Sequence, residues 1–175
     1  IGGGIAGVSA AARLSHLGRV TLLEAEDHLA HHASGRSAAL FEPNYGLAPV
    51  VALSQASADH FHAAGVLSPR GLMLVAGAGE DAVFASEARA LGLGEVAPAD
   101  ARAMVPLLSH ALARAAHADH AWDIDTDRLI QSFLREAKGN GAEVLTRARV
   151  TALTRHGGVW RATTAAGDHQ GRLLV

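Results

Sequence analysis

The 175-residue sequence contains no cysteine and few aromatic residues. The lack of cysteine excludes disulfides, thiolate metal ligands and redox-active thiols. No run of 18 or more apolar residues occurs, which argues against a membrane-spanning helix. The formal net charge is −2 with acidic and basic residues interspersed, so the sequence lacks the basic pattern of a nucleic-acid-binding protein. The length and composition fit one globular domain.

Glycine, by contrast, is abundant, and its most informative cluster opens the chain. The run Gly2-Gly3-Gly4-Ile5-Ala6-Gly7 fits the pattern G-x-G-x-x-G. In a strand–turn–helix unit the first glycine permits the tight turn and the second lets the backbone approach a pyrophosphate. The third lets the helix lie close to the strand. The helix N-terminus then offers its N–H groups to the phosphates.

Glu24 follows the glycine run by about twenty residues, at the end of an apolar strand predicted over 20–23. A carboxylate in this position accepts hydrogen bonds from ribose hydroxyls and disfavours the 2′-phosphate of NADP. The alternative is a plain strand–helix unit with a surface glutamate. A nicotinamide enzyme would usually continue into a further strand–helix repeat. Here residues 28–46 form a loop rich in His, Ser and Gly, which favours FAD over NAD.

Helical and strand-like patterns alternate along the rest of the chain and predict an α/β fold. The predicted helices cover 6–17, about 50–64, 80–91, 99–104 and about 126–138. The predicted strands cover 20–23, 72–76, 143–145, 150–153 and 159–164, with 111–121 either a strand or a loop. Little of a strand precedes Gly2, and a strand-like run stops at Val175. We therefore expect the chain to be a fragment.

Residues 1–46 resemble the D-amino-acid oxidase superfamily of FAD enzymes, which includes glycine oxidase, sarcosine oxidase and D-amino-acid dehydrogenases. The resemblance rests on the glycine run, on Leu22-Leu23-Glu24 and on Ser34-Gly35-Arg36-Ser37-Ala38-Ala39. The stretch from Ala121 to Asp127 and the helix after it are also similar, above all to the D-arginine dehydrogenase-like and glycine oxidase-like branch.

The resemblance implies an incomplete Rossmann-like FAD-binding domain of the GR2 type, with part of an inserted α+β substrate domain. It divides the chain into an FAD-binding segment over 1–46, a mixed segment over 47–120 that belongs partly to the substrate domain, and a return to the FAD-binding domain over 121–175.

The resemblance also implies which residues bind FAD and substrate. The FAD-binding positions are Gly2, Gly4, Ile5, Ala6, Gly7, Glu24, Ala25, Ser34, Gly35, Arg36, Ser37 and Val150. The glycines and Glu24 would hold the diphosphate and the ribose, residues 34–37 would line the pyrophosphate and the flavin edge, and the backbone near Val150 would touch the adenine. Leu40 and Tyr45 would line the substrate pocket. No catalytic residue is assigned, because the substrate-binding arginine of the family falls outside the matching stretch.

The implied activity is FAD-dependent oxidation of an amine or D-amino acid, in which the α-hydrogen passes as hydride to flavin N5 and an imine remains. Either oxygen or a quinone would reoxidise the flavin. We expect a small-molecule substrate, no nucleic acid, and a cytoplasmic location, either free or peripheral to the inner membrane. Two alternatives stay open: an FAD module of a larger amine- or tRNA-modifying protein, and a non-catalytic nucleotide-binding remnant.

Two features depart from the D-arginine dehydrogenase pattern. That pattern has histidine at Leu40 and an acid near Leu72, and both positions are apolar here. A cationic substrate would lose its hydration without gaining a partner, so we expect a neutral or apolar D-amino acid or another secondary amine.

Three histidines, His28, His31 and His32, cluster in the loop at a spacing that can bind metal. The sequence shows no supporting arrangement of acids or cysteines, and we therefore expect no metal site. Covalent attachment of FAD to His32 is disfavoured by the Ser-Gly-Arg-Ser continuation.

Overall fold

The computed structural model describes all 175 residues and places them in two units. The first unit combines Ile1–Ala38 with Asp125–Val175, and the second runs without interruption over Ala39–Ile124. The chain therefore leaves the first unit once and returns to it. The assignment of the middle of the chain to a substrate domain stays a prediction.

The structure contains five α-helices and eleven short strands. The helices are α1 (Ile5–Leu14), α2 (Ala48–Ala63), α3 (Asp81–Ala90), α4 (Pro98–Met104) and α5 (Thr126–Gly139), with a 3₁₀ turn at Ala33–Gly35. The strands are β1 (Thr21–Leu23), β2 (Leu40–Phe41), β3 (Leu67–Pro69), β4 (Leu72–Ala76), β5 (Gly94–Val96), β6 (Arg114–Ala118), β7 (Trp122–Ile124), β8 (Glu143–Leu145), β9 (Ala152–His156), β10 (Val159–Thr164) and β11 (Gly167–Gly171). None of the helices combines the length and apolarity that crossing a membrane needs.

The first unit is built around the parallel pair β1–β8, in which Leu22 lies opposite Val144. Helices α1 and α5 pack against each other in this unit. Helix α1 buries Val8, Ala11 and Ala12, whose small size permits close approach of a neighbouring helix. Helix α5 is the most amphipathic helix of the chain, and its buried residues are Leu129, Ile130, Phe133 and Ala137. An antiparallel sheet of order β11-β10-β9 completes the unit.

The second unit contains two three-stranded antiparallel sheets, with strand orders β2-β7-β3 and β4-β6-β5. Phe84 and Ala88 on the inner face of α3 pack with Ala76 and Ala116 of the second sheet. The predicted helix ending near Gly65 is α2, and Gly65 adopts a left-handed φ of +63° just after its end, as a glycine stop signal requires.

Some elements differ from the sequence prediction. The predicted loop over 28–46 contains the 3₁₀ turn and the two-residue strand β2, and the ambiguous stretch 111–121 contains β6. Residues 173–175 form no strand, which corrects the strand-like interpretation of that run. Strands β3, β5, β7 and β11 went unpredicted, because β3, β5 and β11 lack an apolar alternation and β7 has only three residues. The strand predicted over 150–153 is β9, which covers Ala152–His156.

Candidate dinucleotide-binding site

The glycine turn joins the chain start to α1, and two of its glycines are required for different reasons. Gly2 has a φ of +99° and its N–H donates to the Leu23 carbonyl at 2.8 Å. Only glycine adopts this backbone conformation without strain. Gly7 has an ordinary φ, but a Cβ there would lie 1.8 Å from the carbonyl oxygen of Gly2. The turn therefore closes on itself at a distance that excludes any side chain.

Gly3 is a site residue that the sequence pattern did not identify, since the pattern allows any residue there. Its N–H donates to Glu24 Oε2 at 2.5 Å. A Cβ on Gly3 would lie 2.4 Å from Leu29 Cδ2 and 2.9 Å from the same carboxylate oxygen. The signal in the sequence that could have identified Gly3 is the unbroken run of three glycines over residues 2–4. Gly4 is less crowded, with Ser34 Oγ 3.2 Å from the position of a Cβ.

The Glu24 carboxylate is buried, with 8% of the residue exposed. Its Oε1 accepts the N–H of Glu26 at 2.8 Å, while Oε2 accepts that of Gly3. Burial acts to raise the pKa of this carboxyl, but the N–H groups donated by Glu26, Gly3 and Ala25, together with nearby His32, lower the pKa below its ordinary value. The group is therefore ionised at neutral pH and acts only as an acceptor. Each oxygen keeps lone-pair capacity for a further donor such as a ribose hydroxyl.

The segment after β8 runs beside Glu24 and connects this end of the sheet to Val150. Glu24 donates its N–H to Leu145 and accepts the N–H of Ala148, both at 2.8 Å. Val150 is half-buried against the apolar cluster of Leu23, Ala148 and Ala162. The structure therefore brings Val150 and Glu24 to the same end of β1, and half-buried Ala25 continues from that end.

The loop that carries Ser34 is held against the glycine turn. Ser34 Oγ accepts the N–H of Ile5 at 3.0 Å, which satisfies one of the first-turn N–H groups that have no partner within the helix. The N–H of Ala30 donates to the Gly3 carbonyl at 3.0 Å. A Cβ on Gly35 would lie 2.2 Å from the carbonyl oxygen of Ala30. The loop is thus attached to the glycine turn at Ala30 and to the start of α1 at Ser34.

A pocket of about 260 Å³ opens beside this loop. Its walls are formed by His28, Leu29, Ala30, Ser34, Gly35, Thr126 and Asp127. The last two belong to the first turn of α5, whose N-cap Asp125 accepts the N–H of Arg128 at 2.8 Å. Arg36 and Ser37 lie after the 3₁₀ turn and are exposed. An exposed guanidinium in this loop is available to an anionic group.

These residues fit an FAD molecule at its adenosine and diphosphate end. The turn excludes side chains at Gly7 and Gly3, α1 presents its N-terminus, and an ionised acceptor lies beside both. Of the predicted FAD-binding residues, Gly2, Gly4, Ile5, Glu24 and Ser34 lie together at the turn. Ala6 and Gly7 follow in the first turn of α1.

The predicted substrate-pocket residues lie in the second unit. Leu40 is 41% exposed and lies on β2 opposite Asp123. Tyr45 is 70% exposed and follows a turn in which its N–H donates to the Glu42 carbonyl at 3.2 Å. Leu72 lies on β4 opposite Ala118, in a different sheet from Leu40. The assignment of these three residues to one pocket stays a prediction.

Comparison with known proteins identifies a family and a set of similar folds. The family model described as "DAO: FAD dependent oxidoreductase" matches residues 1–175. Glycine oxidase from Geobacillus kaustophilus is 20% identical with a TM-score of 0.82, over 98% of this chain and 52% of that protein. L-proline dehydrogenase from P. horikoshii is 18% identical with a TM-score of 0.79, over 95% of this chain and 48% of that protein.

L-α-glycerophosphate oxidase from Mycoplasma pneumoniae, solved with FAD bound, is 16% identical with a TM-score of 0.78, over 94% of this chain and 48% of that protein. At these identities the likeness concerns the fold. The chain spans about half the length of these three proteins.

Proposed function

We propose that this chain, which belongs to the DAO family of FAD-dependent oxidoreductases, provides part of the FAD-binding site of an enzyme. The enzyme would oxidise an amine or a D-amino acid. FAD is the cofactor of this family and the α/β fold is the expected Rossmann-like one. The substrate class and the residues assigned below are our proposal.

The observation that carries the proposal is the buried Glu24 carboxylate beside the N–H of Gly3. The adenosine ribose would donate its hydroxyls to Glu24, and the diphosphate would lie over the first turn of α1 at Gly4–Gly7. The charge of Glu24 would repel a 2′-phosphate, which supports FAD over NADP. The adenine would lie near Ala25 and Val150, at the end of β1 that Glu24 occupies.

The loop over residues 34–37 would line the pyrophosphate and the flavin edge. Ser34 already lies at the N-terminus of α1, where its hydroxyl can turn from the Ile5 N–H toward a phosphate oxygen. Arg36 would add a fixed positive charge for the pyrophosphate. FAD held by these residues would supply the hydride-accepting chemistry, at flavin N5, that converts the amine to an imine. The residues of this chain would hold and orient FAD, and none of them is assigned a role in proton transfer.

One consideration supports an amino-acid substrate, and a second supports a neutral side chain on it. Glycine oxidase and L-proline dehydrogenase, two proteins of similar fold, are named for amino acids. Leu40 and Leu72 offer no charge to a basic side chain, because both are apolar. We therefore propose a neutral or apolar D-amino acid, or another secondary amine, as the substrate.

Titration with FAD, followed by quenching of flavin fluorescence, tests the cofactor site. The wild-type chain should bind FAD, and the E24Q variant should bind it at least about tenfold more weakly, since a charge-assisted hydrogen bond is worth about 1.5–3 kcal/mol. E143Q is the matched control, because Glu143 is an exposed glutamate of the neighbouring strand β8 in the same unit.

Anaerobic addition of D-amino acids to the FAD-loaded protein tests the activity. Bleaching of the flavin bands by neutral D-amino acids is the expected result. A protein that takes up no FAD, or an E24Q variant that binds FAD as the wild type does, contradicts the proposed site. A protein that binds FAD but is bleached by no amine supports the alternative of a non-catalytic remnant.

A further inference from the structure

Three imidazoles and two carboxylates converge in one short loop, over residues 26–32. His31 Nδ1 lies 3.2 Å from His28 Nε2, and the rings of His31 and His32 are 4.9 Å apart. Two sets of three side chains bring one potential ligand atom each within 4.8 Å of one another. The first set is Glu26, His31 and His32, and the second is Asp27, His28 and His31. His31 belongs to both sets and is the centre of the cluster.

The loop is held in the conformation that creates this convergence. Ala30, between the histidines, has a φ of +58°, a left-handed conformation that an alanine adopts only at a cost of about 1–2 kcal/mol. The hydrogen bond from Ala30 N–H to the Gly3 carbonyl fixes this residue, and Gly35 packs against the Ala30 carbonyl oxygen. The backbone positions of the three histidines are therefore set independently of contacts between the imidazoles.

The distance between the two nearest ring nitrogens matches a metal-binding geometry. Zinc–nitrogen bonds are about 2.0–2.1 Å long and structural zinc is tetrahedral, which places two ligand nitrogens about 3.3–3.4 Å apart. His28 Nε2 and His31 Nδ1, at 3.2 Å, lie within about 0.2 Å of this spacing. The same distance also fits a hydrogen bond in which one imidazole donates its N–H to the other. The contacts around the two rings therefore decide between a hydrogen bond and a metal ion.

The outer hydrogen bonds favour the metal. His28 Nδ1 is bonded to Asp27 Oδ1 at 2.5 Å, which directs the lone pair of the neutral ring to Nε2, the nitrogen that faces His31. Metal-binding histidines commonly donate their other ring N–H to a carboxylate in this way. His32 Nε2 lies 3.1 Å from Glu26 Oε1, to which Arg149 also comes within 3.3 Å. The cluster thus places two carboxylates and one nearby guanidinium around three imidazoles, and the two carboxylates can balance the charge of a dication.

We propose that His28, His31 and His32, with Glu26 and Asp27, form a binding site for a divalent transition-metal ion of the Zn²⁺, Ni²⁺ and Cu²⁺ class. Imidazole is the ligand that this class prefers when thiolates are absent. The acids that the sequence did not connect with the histidines are supplied by the fold of the loop. A bound ion would join Glu26 and His32 across the loop between Glu24 and Ser34 and so hold that loop more firmly.

Calorimetric titration of the tag-free 175-residue chain with Zn²⁺ tests the site. About one ion per chain should bind, and H31A should bind Zn²⁺ at least about tenfold more weakly, because it removes the ligand shared by both sets. H110A is the matched control, since His110 is an exposed histidine of the second unit and lies in neither set. Its affinity should equal that of the wild type.

Thermal unfolding gives an independent reading. Zn²⁺ should raise the Tm of the wild type and of H110A, and it should leave that of H31A nearly unchanged, because an ion stabilises only a folded state that binds it. H28Q keeps the size of the side chain and serves if H31A does not fold, as judged by circular dichroism. Equal Zn²⁺ affinity in the wild type, H31A and H28Q, or no saturable binding to the wild type, overturns the proposal.

Discussion

The carbonyl oxygen of Gly2 occupies the space in which a side chain on Gly7 would begin, 1.8 Å from the position of its Cβ. G7A should therefore destabilise the protein by about 3 kcal/mol or more and abolish FAD binding, since the turn and α1 must separate to admit a methyl group. Urea unfolding and FAD titration measure the two effects.

Gly18 is the matched control for this substitution. It has no atom within 4 Å of a Cβ and no left-handed φ, so G18A should stay within about 0.5 kcal/mol of the wild type. A G7A variant as stable as G18A would show that the turn is looser than the structure has it.

The lowered pKa of Glu24 predicts a loss of stability in acid. Its folded-state pKa lies below the ordinary value of 4.5, so the unfolded chain binds the proton more readily. The stability that Glu24 contributes is thus complete above the ordinary value and is lost as the pH falls through the lower folded value. Urea midpoints measured from about pH 6 to about pH 3 should fall more steeply for the wild type than for E24Q.

Two other carboxyls contribute to the acid sensitivity of the wild type and of E24Q alike. The hydrogen bond from His28 lowers the pKa of Asp27, and the hydrogen bond from His16, with the Arg13 guanidinium, lowers that of Glu136. Both variants therefore lose some stability in acid, and the comparison isolates Glu24. Parallel pH curves for the wild type and E24Q would contradict the role of Glu24 as a buried, hydrogen-bonded anion.

The specificity prediction concerns Leu40 and Leu72. A double variant, L40H with L72E, should oxidise basic D-amino acids with a kcat/KM at least about tenfold above the wild type, because a buried cation gains a partner. Anaerobic flavin bleaching by D-arginine and D-lysine measures the gain, and bleaching by a neutral D-amino acid is the internal control. If neither single nor double variant gains activity on basic substrates, the two leucines do not line the pocket.

Helix α5 offers a stabilising substitution. Gly139 is its last residue, with open space at the Cβ position and no left-handed φ. G139A should stabilise the protein by about 0.5–1 kcal/mol, because alanine restricts the unfolded chain and favours the helix. Gly141 has equally open space but a φ of +84°, so G141A should destabilise instead. Thermal unfolding measures both effects. If the Tm of G139A and the Tm of G141A shift in the same direction, backbone φ does not explain the difference between the two positions.

Local patterns determined much of the fold. The glycine run predicted the start of α1, and the apolar face of the helix after Asp125 predicted α5. Strands β4 and β10 have the predicted bounds. These elements were predictable because their signals are periodicity, caps and glycine stops, which depend on neighbours along the chain.

The site was only partly predictable for the same reason. Gly2, Gly7 and Glu24 could be identified because their spacing is a property of the sequence. The hydrogen bonds from Gly3 N–H to Glu24 and from Ile5 N–H to Ser34 Oγ join residues 21 and 29 positions apart. Only the folded loop brings such pairs together.

By itself the sequence determined a glycine turn that opens a helix, an acid at the end of the next strand and an α/β class, because glycine conformations, helix caps and hydrophobic periodicity are local properties. The tertiary structure decided that Gly7 closes on Gly2, that Val150 lies at the Glu24 end of β1, and that Glu26 and Asp27 meet three histidines around a left-handed Ala30. These relationships arise from the path of the loop and from contacts between distant segments, which no local pattern encodes.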